Sequence, residues 1–150
     1  VSLPTGARVL TVSVKYPQSG HRNRDLDVVD GELARRGFAV DHLVNPSAQE
    51  LRAHADDYAC VFVNIQVTPH SLMGTMRLTG DLVMPFWESF WVDHPNVVVT
   101  SFGSPYHLYE LPHLPNLYLT YGPAGAAQAA AVRAWLGEIE PRGACPVRLP

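Results

Sequence analysis

Tyr58-Ala59-Cys60-Val61-Phe62-Val63-Asn64 is apolar at almost every position, not at every second one. A strand with one wet face alternates, whereas a strand covered on both faces reads as a nearly continuous apolar run. This heptapeptide therefore predicts a strand of a sheet that is covered on both faces. The neighbouring segments fit that expectation. Upstream, Arg8-Val9-Leu10-Thr11-Val12-Ser13-Val14 is β-branched and bounded by Gly6 and Pro17, which predicts a strand. In the stretch from Asn23 to Arg36, Leu26, Val29, Leu33 and Ala34 recur at helical spacing, with Gly37 placed as a C-cap. Phe38 to Leu43 predicts a second strand, and Ser47 with Glu50 forms a capping-box pattern for a helix running to His54.

Downstream, the segment from Ile65 to Thr79 shows no period and reads as a long loop. Gly80 to His94 reads as a helix whose Phe86, Trp87, Phe90 and Trp91 make an aromatic stripe. The stripe suits either the core side of that helix or a contact with a neighbouring domain. Asn96 to Phe102 and Asn116 to Tyr121 predict two more strands, and the alanine-rich Ala124 to Leu136 predicts a helix closed by Gly137. Alternating strands and helices over 150 residues predict one α/β domain, a three-layer sandwich with a largely parallel sheet.

Composition narrows the function classes. Net charge is −3, there is one lysine (Lys15) and no basic block, which argues against nucleic acid and anionic membrane as partners. No apolar run approaches the ~20 residues of a membrane span. Charged residues make up 17% of the chain, a low share that fits either a surface partly covered by another domain or ordinary variation. Cys60 and Cys145 form no C-x-x-C pair or disulfide framework and are expected to be reduced and inert.

Motifs for chemistry are mostly missing. The exit of the first strand, from Val14 to Gly20, lacks both G-x-G-x-x-G and the P-loop pattern, so neither usual nucleotide site is expected. Ser101-Phe102-Gly103-Ser104-Pro105 has the wrong spacing for a nucleophile elbow. Ser104 with His107 is a candidate nucleophile and base, but no acid is placed to orient the histidine. The simpler reading is a tight turn in which Gly103 permits a positive φ and Pro105 starts the next segment. His21, His42, His54, His70, His94, His107 and His113 show no metal-ligand spacing, so no metal and no cofactor are expected. Glu88, Asp93, Glu110, Glu138 and Glu140 are the carboxylates nearest loops or an apolar face, but spacing pairs no two of them across a sugar-sized gap. Ligands and partners of open α/β sheets meet the carboxyl ends of the strands. Here those ends are Lys15 to His21, Asn64 to Thr68, Ser101 to His107 and Tyr121 to Pro123.

A resemblance enters in the last third. Val97-Val98-Val99-Thr100-Ser101-Phe102-Gly103-Ser104-Pro105-Tyr106 resembles a strand-and-turn signature of the C-terminal domain of glycoside hydrolase family 3, in its bacterial β-N-acetylhexosaminidase-like branch. Leu108 to Pro115, the strand Leu117 to Tyr121 and the helix Ala126 to Trp135 follow in the same order. Gly137-Glu138-Ile139-Glu140-Pro141-Arg142-Gly143-Ala144-Cys145-Pro146-Val147-Arg148-Leu149-Pro150 looks like the family's closing segment. Toward the amino end only the α/β pattern agrees. The resemblance implies a parent protein with an N-terminal (β/α)8 barrel that carries the nucleophile and removes terminal N-acetylglucosamine. A barrel takes ~250 residues, more than this chain has. The chain is then an accessory domain, expected to be inactive alone, and the absence of an initiator Met before Val1-Ser2-Leu3-Pro4 suits an excised piece or a processed chain. In the β-glucosidase branch a Glu of this domain can act as acid/base, but no segment here matches that motif. The loop of Ser101, Gly103, Ser104, Pro105, Tyr106 and His107 is expected to face the barrel or a saccharide at the domain interface. The alternative is a stand-alone carbohydrate- or protein-binding module. The compartment stays open, with the parent cytoplasmic or secreted.

Overall fold

The computed structural model describes residues 1–15, 26–66, 78, 94, 96–112, 114–145 and 147. Five strands run through it: β1 (Arg8–Lys15), β2 (Ala39–Val44), β3 (Cys60–Gln66), β4 (Val97–Ser101) and β5 (Leu117–Leu119). Four helices are described: α1 (Asp27–Arg35), α2 (Ala48–Ala55), α3 (His107–Glu110) and α4 (Gly125–Trp135). Every strand pairing is parallel, in the order β2-β1-β3-β4-β5. That order is one of the common doubly wound arrangements, in which the strand order reverses at β1 and β3. The predicted helix from Gly80 to His94, with Pro85 and the aromatic stripe, lies outside the described residues, apart from His94.

The heptapeptide that predicts a two-sided sheet is central, and it is buried from Cys60 onward. All seven residues of β3 are buried, between β1 and β4. The strand starts at Cys60 instead of Tyr58: Tyr58 N is held by Ala55 O in the turn after α2, and Ala59 N donates to Arg8 O at the start of β1. It runs on to Gln66, since pairing with β1 continues through Ser13↔Asn64 to Lys15↔Gln66.

Alternation along the strands divides the core in two. One face of the sheet sends Val9, Cys60, Phe62 and Val98 against Val29 and Leu33 of α1 and Ala131, Val132 and Trp135 of α4. The opposite face sends Leu10, Val12, Val61, Val63, Ile65 and Val99 against Leu51 and Ala55 of α2, with Leu78 and Leu111. Trp135 stacks on Phe62 with ring centroids 4.7 Å apart, and its indole N–H donates to Thr100 Oγ1 at 3.0 Å. A buried indole thus keeps both its apolar contact and its polar partner.

Helix ends follow local chemistry. Ser47 and Glu50 form the capping box of α2, with Glu50 N donating to Ser47 Oγ and Ser47 N donating to Glu50 Oε2. Gly37 and Gly137 close α1 and α4 with φ of 85° and 74°, a region open to glycine at little cost. The amino end of α1 has no side-chain cap of its own. Gln128 of α4 supplies one: its Oε1 accepts from Val29 N at 3.2 Å while its Nε2 donates to Pro123 O at 2.9 Å. Cys60 is buried and free, and burial pushes its thiol up to about 12, so it is protonated and unreactive near neutrality. Cys145 is exposed and free.

Candidate functional site

Ser101 ends β4, and the chain turns through Phe102 to Tyr106 into α3. Pairing holds the turn in place: Phe102 N donates to Ile65 O at 2.8 Å, and Ser101 O accepts from Thr120 N at 3.0 Å. Within the turn, Ser101 Oγ lies 3.1 Å from Ser104 O and 2.7 Å from His107 Nδ1. The hydroxyl has one proton and a carbonyl only accepts. If that proton goes to Ser104 O, His107 Nδ1 must be the protonated nitrogen and must donate to Ser101 Oγ. Ser101 and His107 are 0% and 1% exposed, so neither meets solvent. The pair ties the end of β4 to α3 across the turn.

Ser104, the sequence candidate for a nucleophile, faces elsewhere. It is buried, and its Oγ accepts from Tyr106 N at 3.2 Å, a local turn bond. Gly103 and Pro105 are half-buried. Gly103 is not among the positive-φ glycines Gly6, Gly37 and Gly137; the left-handed positions on non-glycine residues are Asn45 and Tyr121, at φ of 46° and 60°. The expectation of a positive φ at Gly103 is therefore corrected, and the strain sits one strand over, after β5. Tyr106 is the exposed member of the predicted loop. Its ring lies nearly parallel to that of Tyr109, one helical turn on, with centroids 6.3 Å apart and planes at 16°. Tyr121 is exposed as well. Loss of solvent, then the neighbouring Cys145 thiol, raises the Tyr121 phenol above its ordinary value. Loss of solvent, then the proximity of Tyr106 and Cys145, raises Tyr109 likewise.

A second constellation was not legible as a group in the sequence. Thr11 Oγ1 lies 2.7 Å from Asp30 Oδ1 and 3.0 Å from His42 Nδ1, and that same nitrogen lies 2.7 Å from Asp30 Oδ2. It has the residue types of a nucleophile triad with the wrong polarity. The carboxylate takes both the Thr11 hydroxyl proton and the histidine N–H, so nothing is left to deprotonate Thr11. The group staples α1 to β1 and β2.

The carboxylates are separately engaged. Glu110 accepts from Leu78 N at 2.8 Å. Glu138 pairs with Arg36, which holds its carboxyl below the usual range, and Glu140 lies 3.5 Å from Arg142. Glu88 and Asp93 lie outside the described residues, as do His21, His70 and His113. Among the described residues no group of three or more His, Cys, Asp or Glu could hold a metal ion. None of the described helices is long and apolar enough to cross a membrane. A cleft between β5 and α4, lined by Tyr118, Leu119, Thr120, four alanines of α4, Ile139 and Pro141, has no titratable group but Tyr118 and is not placed for acid–base chemistry.

No family model matches the sequence, and no curated protein matches it. Solved structures do. A β-glucoside phosphorylase, BglX, superposes with a TM-score of 0.70 at 22% identity, over 95% of this chain and 26% of its own. A fungal multi-domain GH3 β-N-acetylglucosaminidase superposes with a TM-score of 0.70 at 17% identity, over 100% of this chain and 16% of its own. A glycoside hydrolase family 3 β-N-acetylglucosaminidase from Paenibacillus sp. str. FPU-7 does so with a TM-score of 0.70 at 16% identity, over 95% of this chain and 27% of its own. This chain thus spans about a quarter or less of the length of each protein it matches. Five parallel strands between two helical layers are therefore the same α/β fold as a segment of glycoside hydrolase family 3 proteins.

Proposed function

We propose that this chain is the C-terminal accessory domain of a glycoside hydrolase family 3 protein, the parent being a β-N-acetylhexosaminidase that releases terminal N-acetylglucosamine. The observation that carries the reading is the coverage: the fold match takes in nearly all of this chain but 16% to 27% of the similar proteins. The closing segment from Gly137 to Pro150 supports the hexosaminidase branch, as do two similar structures that are β-N-acetylglucosaminidases. In this reading the nucleophile belongs to an N-terminal (β/α)8 barrel. The turn from Ser101 to His107 faces that barrel: Ser101 and His107 make the turn rigid, Gly103, Ser104 and Pro105 shape it, and Tyr106 offers contact to a saccharide.

The test is turnover by the protein at the length its native host makes it, beside the 150-residue chain. Substrates are 4-nitrophenyl N-acetyl-β-glucosaminide and 4-nitrophenyl β-glucoside, each with and without phosphate. The expected result is hydrolysis of the first by the native protein, independent of phosphate, and none by the short chain. Phosphate-dependent consumption of the glucoside would replace the parent reaction with phosphorolysis, the activity named for BglX. A native protein no longer than this chain and without turnover would leave a stand-alone binding module.

A further inference from the structure

The two edges of the sheet are unequal. β5 is a strand of 3 residues, too short to template much pairing, whereas β2 runs for 6 residues from Ala39 to Val44. β2 ends the strand order and pairs with β1 alone among the described strands. Ala39 N donates to Ala7 O at 3.0 Å and Asn45 N to Ser13 O at 2.9 Å, one at each end of this ladder. Successive residues of a strand turn their main-chain groups to opposite sides, so the odd-numbered positions bond to β1. The N–H and C=O groups of Val40, His42 and Val44 therefore point away from the sheet. Natural edges are blunted by Lys, Pro, a bulge or an inward charge. β2 has no Lys and no Pro, and its register is unbroken from Arg8↔Ala39 to Ser13↔Val44. Its carboxylate, Asp41, is already held by Arg8 and Tyr58, and His42 is held by Asp30. Val44 is 54% exposed, more than any other large apolar side chain among the described residues.

We infer that β2 is a dimerisation edge that pairs antiparallel with β2 of a second copy of this chain, making one continuous sheet. The outward positions read Val40, His42, Val44, the same in both directions. A two-fold partner requires such self-complementarity, and an unrelated strand does not. Two sheets join edge to edge about an axis normal to both, and residues directly opposite then share a face. Only a register centred on His42 gives every outward group a partner. Val40 meets the partner's Val44, His42 meets the partner's His42, and Val44 meets the partner's Val40, each pair exchanging both main-chain bonds. A register centred on Asp41 or Leu43 loses a pair, and the first also sets two carboxylates side by side, which is destabilising. The valines meet on the face that α1 covers, where Val40 already packs against the core. Asp41 keeps Arg8 and Tyr58 and falls opposite the partner's Leu43. At the axis each His42 arrives with its own Asp30 carboxylate at 2.7 Å, so no uncompensated positive charge gathers there. The dimer stands whichever reaction the parent performs.

Sedimentation equilibrium of the 150-residue chain and of the native-length protein tests it. The expected result is a monomer–dimer equilibrium in both, with a Kd on the order of 10–100 μM, because one edge strand buries an area at the small end of specific interfaces. Val44→Pro removes an outward N–H that the β1 ladder does not use, and proline is tolerated on an edge strand where the N–H faces solvent. It should weaken association by about tenfold or more while the circular dichroism of the folded monomer is kept. Val44→Lys keeps the N–H but sets a charge beside the partner's Val40, and it should weaken association as well, so the test does not depend on the proline variant folding. Amide exchange by NMR reads the edge directly. Val40, His42 and Val44 should become protected as the concentration of the short chain rises, whereas Asp41 and Leu43 are protected throughout. A chain that stays monomeric at millimolar concentration would overturn the inference. So would a dimer that withstands both variants or leaves the amides of Val40, His42 and Val44 exposed, since its contact would lie on another face. A dimer formed by the short chain alone would overturn it too, by showing that the rest of the native protein covers β2.

Discussion

On the sheet face covered by α1 and α4, the amino halves and the carboxyl halves of the strands are built from different chemistry. The amino halves contribute Val9, Cys60, Phe62 and Val98, sealed by Trp135, Leu33 and Val132. The carboxyl halves of the same strands contribute Thr11, Ser13, Asn64, Gln66 and Thr100, all as deeply buried. Thr100 and Thr11 are satisfied by Trp135 and Asp30. Ser13 Oγ, Asn64 Oδ1 and both polar atoms of Gln66 have no hydrogen-bond partner in the described structure. Ser13 and Asn64 are direct neighbours in the β1–β3 register, and Gln66 follows opposite Lys15. Burial is equal at the two ends, so burial alone does not distinguish them. The amino half gains free energy from it, whereas each orphaned polar group at the carboxyl half costs about 1–3 kcal/mol. The stabilising end is therefore the one away from the expected ligand edge, and the costly end lies where the strand order reverses.

The largest effect expected from this contrast is at the amino half. Phe62→Ala and Trp135→Ala each remove a fully buried ring from the stacked pair and should cost about 3–5 kcal/mol in urea unfolding. That is a large part of the 5–15 kcal/mol typical of a domain. A loss under about 1 kcal/mol would mean that this half is not the folding core. At the carboxyl half the sign should reverse. Ser13→Ala and Gln66→Leu remove orphaned polar atoms and should leave stability unchanged or raise it by up to ~1 kcal/mol each. A loss of more than ~1 kcal/mol would show that ordered water satisfies these groups, and the two halves would then be equally well built.

Local pattern made much of the fold legible, because it depends on neighbours in sequence. The continuous apolar run at β3, the Ser47–Glu50 capping box and the glycines at 37 and 137 each act within a turn or two of chain. The candidate site was legible by place and not by partner. The strand-end rule singled out the turn from Ser101 to His107, yet the bond that shapes it joins His107 to Ser101 and bypasses Ser104. Spacing cannot rank partners three and six residues away across a turn. The Asp30, His42 and Thr11 cluster comes from three elements whose meeting depends on the β1–β2 register. The left-handed backbone at Tyr121 was missed as well, since it has no sequence sign beyond the glycine that follows.

The smallest predicted effect comes from the ion pairs that close the amino half. Arg36 ends α1 and reaches Glu138 beyond α4, at 2.5 Å and 2.8 Å, so the two helices that cover Phe62 are also tied at their carboxyl ends. On the other face Asp41 accepts from Arg8 at 2.8 Å and Tyr58 at 2.9 Å. These partners lower both carboxyl groups below their ordinary values of 4.5 and 3.8. A carboxyl depressed in the folded state stays ionised there after the unfolded chain has begun to take up protons. Its stabilisation is complete above the ordinary value and is lost as pH falls through the folded one. The melting temperature should therefore be level from pH 7 down to about 5 and then decline toward pH 3. Glu138→Gln should flatten part of that decline, and added salt should shrink the difference between variant and wild type, because the pair is partly solvated. A decline unaltered by Glu138→Gln and by Asp41→Asn would show that these pairs decorate the amino half without holding it. The stability of that half would then rest on the rings and aliphatic side chains around Phe62 alone.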